Sequence, residues 1–169
     1  MKPFILMTFL LLFAGKTQAN LPRDKFLTRD GKLSATLTLK DVQGGFAGFT
    51  GVIWTIRPDG SWDRKRIINR TTQKLDLNGK LSAKQLRQIA DVLTHAQVDK
   101  LPARLGKFRG VNPHVVTLGW GKRQCAWTLG PGMPVPKYLD QPFGKLTDED
   151  SFAEISQTLG KLLKSPKEK

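Results

Sequence analysis

A chain of 169 residues with 28 Lys and Arg against 14 Asp and Glu carries a formal charge of +14, and its 39% hydrophobic content belongs to a folded domain rather than a disordered chain. That length accommodates one domain of ordinary size and excludes two. The single cysteine, Cys125, excludes an intramolecular disulfide, a cysteine-based structural zinc site and a thioredoxin-type pair, so secondary structure has to hold the fold.

Residues 1–19 read as a signal peptide: Lys2 gives a positive start, residues 4–14 are apolar, and Thr17-Gln18-Ala19 sets small residues at the cleavage-recognition positions. The apolar run is shorter than the roughly twenty residues a transmembrane helix needs, so cleavage near Ala19 and a secreted or periplasmic product without a transmembrane anchor are expected. Residues 20–32 are polar and read as a flexible leader. From Leu33, apolar and polar residues alternate through Leu39, the period-two pattern of a half-buried strand. A glycine-rich stretch, residues 43–51, reads as a loop. Residues 52–57 and 62–68 are strand-like and flank Pro58-Asp59-Gly60-Ser61, whose Asp-Gly centre signals a hairpin.

Leu81-Ser82-Ala83-Lys84-Gln85-Leu86 announces a helix: Ser82 and Gln85 are spaced for a capping box, and Leu81 with Leu86 for a hydrophobic staple. Leu86, Ile89, Leu93 and Ala96 give it one buried face, and it should end before Pro102. A second hairpin, residues 114–120 and 123–129, turns at Gly121-Lys122 and places Val116, Leu118, Cys125, Trp127 and Leu129 on one face. Residues 131–144 form a proline-rich connection. A second helix starts at Thr147, with Asp148, Glu149 and Asp150 favourable at the positive end of its dipole and Phe152, Ile155, Leu159 and Leu162 on its buried stripe. The expected fold is α+β, in the order β-β-β-α-β-β-α: an antiparallel sheet of about five strands with two helices packed on one face. It forms a single domain over residues 33–164, followed by a tail, 165–169.

No zinc helix, nucleophile elbow or phosphate loop is present, so no catalytic residue, metal ligand or cofactor site is assigned and the chain is expected not to be an enzyme. His95 falls near a helix end, His114 at a strand start, and Cys125 on the apolar face, where a thiol behaves as a small hydrophobe. The basic surplus has one candidate arrangement. With Asp59-Gly60 as a two-residue turn, Arg57 faces Trp62, and Arg64 and Arg66 share their side, a stripe suited either to an acidic glycan or envelope surface or simply to solvation. Export argues against a specific nucleic-acid partner. Asn69-Arg70-Thr71 is a glycosylation acceptor only in a eukaryotic secretory pathway.

The glycine-rich stretch is the most unusual segment. Gly44, Gly45, Gly48 and Gly51 surround Phe46 and Phe49, so a ring here either folds back onto the sheet or is carried outward as an apolar anchor. The first strand, the loop Gly44-Gly45-Phe46-Ala47-Gly48, the next strand, the Leu81-Ser82-Ala83-Lys84-Gln85-Leu86 helix start and Leu101-Pro102 together resemble the protealysin inhibitor (emfourin) family. Its members are proteinaceous inhibitors of thermolysin-type zinc metallopeptidases. The resemblance spans approximately residues 34–130; the export signal and the segment after Gly130 depart from it. It implies an inhibitor-like domain that binds such a peptidase through Gly44, Gly45, Phe46, Ala47, Gly48 and the adjoining Phe49.

Overall fold

The computed structural model describes residues 25–46, 48–138 and 146–163. Strands β1 (Leu37–Gly45), β2 (Gly48–Ile56), β3 (Ser61–Ile68) and β4 (Thr71–Lys80) run as consecutive antiparallel hairpins. Helix α1 (Ala83–His95) and a 3-10 turn (Val98–Lys100) lead to a two-residue strand, β5 (Arg104–Leu105). The hairpin of β6 (His114–Trp120) and β7 (Arg123–Leu129) is followed by helix α2 (Asp148–Leu162). The sheet order is β4-β3-β2-β1-β6-β7-β5, with β5 parallel to β7. The α+β class stands, but among the described residues the sheet has seven strands rather than about five, and it is mixed rather than purely antiparallel.

Local signals explain the best-read elements. Ser82 and Gln85 close the capping box of α1, and Leu81 and Leu86 are both buried beside it. Thr147 and Asp150 form the equivalent box on α2. Gly121 takes φ +55 in the two-residue turn that pairs Trp120 with Arg123, which puts Val116, Leu118, Cys125, Trp127 and Leu129 on the buried face as expected.

Both helices contribute to one core with the sheet face that carries Leu37, Leu39, Ile56, Trp62, Leu118 and Trp127. Phe26 joins that core, buried edge-on against Trp120 with ring centroids 5.4 Å apart. The leader expected over 20–32 therefore gives way in its described part, 25–32. There Leu27 bridges Leu33, and Phe26 has apolar surface to bury that outweighs its polar neighbours. Strand β1 begins at Leu37 rather than Leu33. The signal peptide, the cleavage point near Ala19 and the tail 165–169 lie outside the described residues. Among the described residues no helix is long and apolar enough to cross a membrane.

Candidate functional site: the loop end of the sheet

The glycine-rich stretch is not a long loop. Gly44 pairs with Phe49 and Gly45 with Gly48, so the stretch completes two nine-residue strands and leaves a two-residue tip, Phe46 and Ala47, of which Ala47 lies outside the described residues. Two of the glycines serve close approach: a Cβ on Gly51 would lie 2.0 Å from the Asp41 carbonyl oxygen, and one on Gly44 would lie 3.0 Å from the Pro113 ring; Gly48 instead takes φ +102 at the tip. Phe49 is half-buried, with the Arg70 guanidinium 5.8 Å from its ring centroid, and is not a free anchor. Phe46 is the opposite case. Its relative exposure is 107%, so it makes no core contact and stands clear at the hairpin tip.

Three further connections meet this end of the sheet. The β3–β4 turn, Asn69 and Arg70, has both residues in the left-handed region and donates the Arg70 N–H to the Phe49 carbonyl, 3.2 Å. The segment 106–113 crosses from β7 to β1: a Cβ on Gly106 would meet the Thr128 carbonyl at 2.4 Å, and the Gly44 N–H donates to the Pro113 carbonyl at 2.7 Å. The segment after β7 brings Met133 alongside. Val111 and Met133 are exposed, as is Ile68 at the end of β3.

Two side chains hold these connections in register. Gln43 Nε2 donates to the carbonyls of Asn112 (2.7 Å) and Gly44 (3.1 Å), while its Oε1 accepts from the Gly132 N–H (3.0 Å). His114 Nδ1 donates to the Met133 carbonyl, and its Nε2 lies 2.7 Å from Asp41 Oδ1. Burial disfavours the charged imidazole, but the Met133 carbonyl and the Asp41 carboxylate outweigh it and raise the His114 pKa. The sequence placed His114 at a strand rim. Neither its role nor that of Gln43 is visible there, because the links each makes between connections reach partners 19 to 89 residues away in the chain.

The arginine stripe does not assemble. Arg57 closes against Ser61 rather than Trp62, and the register sets Ile56 opposite Trp62 and Trp54 opposite Arg64. Trp62 consequently enters the core. Arg57 pairs with the buried Asp63, while Arg64 (2.7 Å) and Arg66 (3.4 Å) share Asp76. Desolvation works against the Asp76 carboxylate, yet Arg64 and Arg66 hold it below the usual carboxylate range. These arginines are committed to structural ion pairs, with Arg57 on the opposite sheet face from Arg64 and Arg66.

His95 Nδ1 lies 3.0 Å from a Glu154 carboxylate oxygen and ties α1 to α2. Cys125 is buried, and burial, with the Asp148 and Glu149 carboxylates, pushes its thiol up to about 11. A cavity of about 10 Å³ beside Leu118, Trp120 and Cys125 has room for about one water. Among the described residues no three His, Cys, Asp or Glu side chains converge to hold a metal ion.

No protein-family model matches the chain, and no curated protein matches it. The fold and the loop end therefore define the class by themselves: an α+β module that gathers four connections, one tipped by an exposed phenylalanine, at one end of its sheet.

Proposed function

We propose that this chain is a secreted or periplasmic, non-catalytic inhibitor that inserts the Phe46 tip into the apolar specificity pocket of a thermolysin-type zinc metallopeptidase. One observation carries this reading: a fully exposed phenylalanine at the tip of a braced hairpin. A lone exposed hydrophobe needs no explanation, but a ring carried clear of its own protein at the end of a paired hairpin is free to enter a partner's pocket, as an anchor must be. Thermolysin-type peptidases favour a bulky apolar side chain next to the scissile bond. Gly45 and Gly48, paired at the base of the tip, leave a narrow profile for entry into a cleft.

Purified protein assayed against thermolysin should inhibit it, and Phe46→Ala should weaken inhibition by about 2 kcal/mol or more, the scale of a hot-spot truncation. Its melting temperature should stay at the wild-type value, because Phe46 contributes nothing to the core. Absence of inhibition by the wild type, or equal inhibition by Phe46→Ala, would overturn the reading.

A further inference from the structure

The residues around the tip differ from the rest of the chain in charge. Segments 42–50, 66–73, 106–116 and 127–135 hold no Asp or Glu; of their cations, Arg66 is paired with Asp76 from β4, which leaves Arg70, Lys107 and Arg109. The nearest acid on β1, Asp41, is engaged by His114. Lys107 and Arg109 make no ion pair with another described residue, and Arg109 stands two positions from the exposed Val111. On these segments stand Phe46, Val111 and Met133, whose connections Gln43 and His114 fasten to one another. Exposed apolar side chains gathered at one end of the sheet, with Lys107 and Arg109 on one of its connections, have the composition of an interface: aromatic, methionine and arginine side chains are the types enriched there.

We propose that these connections form one composite docking surface, apolar at Phe46, Val111 and Met133 and cationic at its edge, fitted to a protein partner whose apolar cleft is rimmed by carboxylates. The proposal rests on the reading of Phe46 as an anchor and extends it. The ring supplies the central contact, Val111 and Met133 widen the apolar footprint, and Arg109 and Lys107 choose among clefts by the charge at their rims. Charges at a rim act mainly on encounter rate and partner choice.

The test has two arms. In the first, the full chain is titrated by NMR with anilinonaphthalene sulfonate, a probe both apolar and anionic, and with its uncharged analogue phenylnaphthylamine. The amides of Gly45, Phe46, Gly48, Gly110, Val111, Asn112, Gly132 and Met133 should shift together, and Arg109→Glu should weaken the sulfonate at least threefold while leaving the neutral probe unchanged. Shifts confined to the tip or lying on the open sheet face, or indifference to Arg109→Glu, overturn the composite surface. In the second arm, Val111→Ser and Arg109→Glu, checked by melting temperature, are assayed against thermolysin. If Phe46→Ala loses inhibition while these two inhibit as the wild type does, the tip reading stands and the composite surface fails. If thermolysin is not inhibited but the probes map to the three connections, the surface stands and its partner is not a thermolysin-type peptidase.

Discussion

At the scale of single residues, His114 is the most informative group. A carbonyl and a carboxylate both accept hydrogen bonds, so Met133 and Asp41 are satisfied together only when both imidazole nitrogens carry protons. The folded state thus favours the imidazolium and raises its pKa above 6.5. A group with a raised folded pKa contributes stability that is complete below its unfolded value and is lost as pH rises through the folded one. The advantage of wild type over His114→Gln, measured by urea unfolding, should be largest below about pH 6.5 and shrink as the pH climbs past that value. NMR titration of the two histidines should place His114 above its ordinary value; a value at or below 6.5 would sink the argument. Gln43 needs no proton for its task, so the links of Asn112 and Gly132 to β1 should persist where the His114 clamp has opened.

At the scale of elements, what was legible followed the strength of the local signal. The capping box at Ser82, the helix start at Thr147 and the Gly121 turn are encoded within four residues, and all three form as the sequence indicates; the box that Asp150 closes on Thr147 is an addition. The β2–β3 register differs from the expected one because Pro58-Asp59-Gly60 makes a three-residue connection: Arg57 N–H donates to the Ser61 carbonyl at 2.8 Å, and Gly60 takes φ +82. That single extra residue turns every side chain of β3 to the other face, which is why Trp62 is core and the arginine stripe does not exist. Strand β4 was missed because its polar residues and two register shifts against β3 obscure any alternation, although Asn69, a residue tolerant of the left-handed region, marks the turn before it. Glycines weaken strand propensity, so 43–51 reads as a loop; the close approach at Gly44 and Gly51 depends on neighbours the sequence does not reveal. Gly51→Ala tests this directly. With 2.0 Å between the new Cβ and the Asp41 carbonyl oxygen, strands β1 and β2 must part. We expect a loss of about 1–3 kcal/mol by denaturant unfolding, the usual overpacking range. The same substitution at Gly160 of α2, where nothing lies within 4 Å of the Cβ and φ is not positive, meets no such contact.

At the scale of the whole molecule, the segment after Gly130 is part of the structure that holds the loop end. Phe152, Ile155 and Leu159 of α2 are fully buried in the common core, and Phe152 meets Trp127 edge-on, with centroids 5.6 Å apart at 87°. Residues 34–130 alone would leave Trp127 and Cys125 without this cover. The β6–β7 hairpin that lies under α2 also carries His114 at its start and leads to Met133 at its end, so the support of the loop end depends on the helix. Phe152→Ala removes a buried ring at a cost of about 3–5 kcal/mol, a large share of the roughly 5–15 kcal/mol a domain possesses. The melting temperature should fall by roughly 6–20 °C for a chain of this size. Cys125 gives an independent readout of the same opening. In the wild type its buried thiol, pushed up to about 11 by burial and by Asp148 and Glu149 of α2, should resist alkylation at pH 8 until urea unfolds the chain. In Phe152→Ala, and in a chain ending at Tyr138, alkylation should become rapid without denaturant. A truncated chain that kept both its cooperative melting and its protected thiol would show that β1 to β7 close a core without α2.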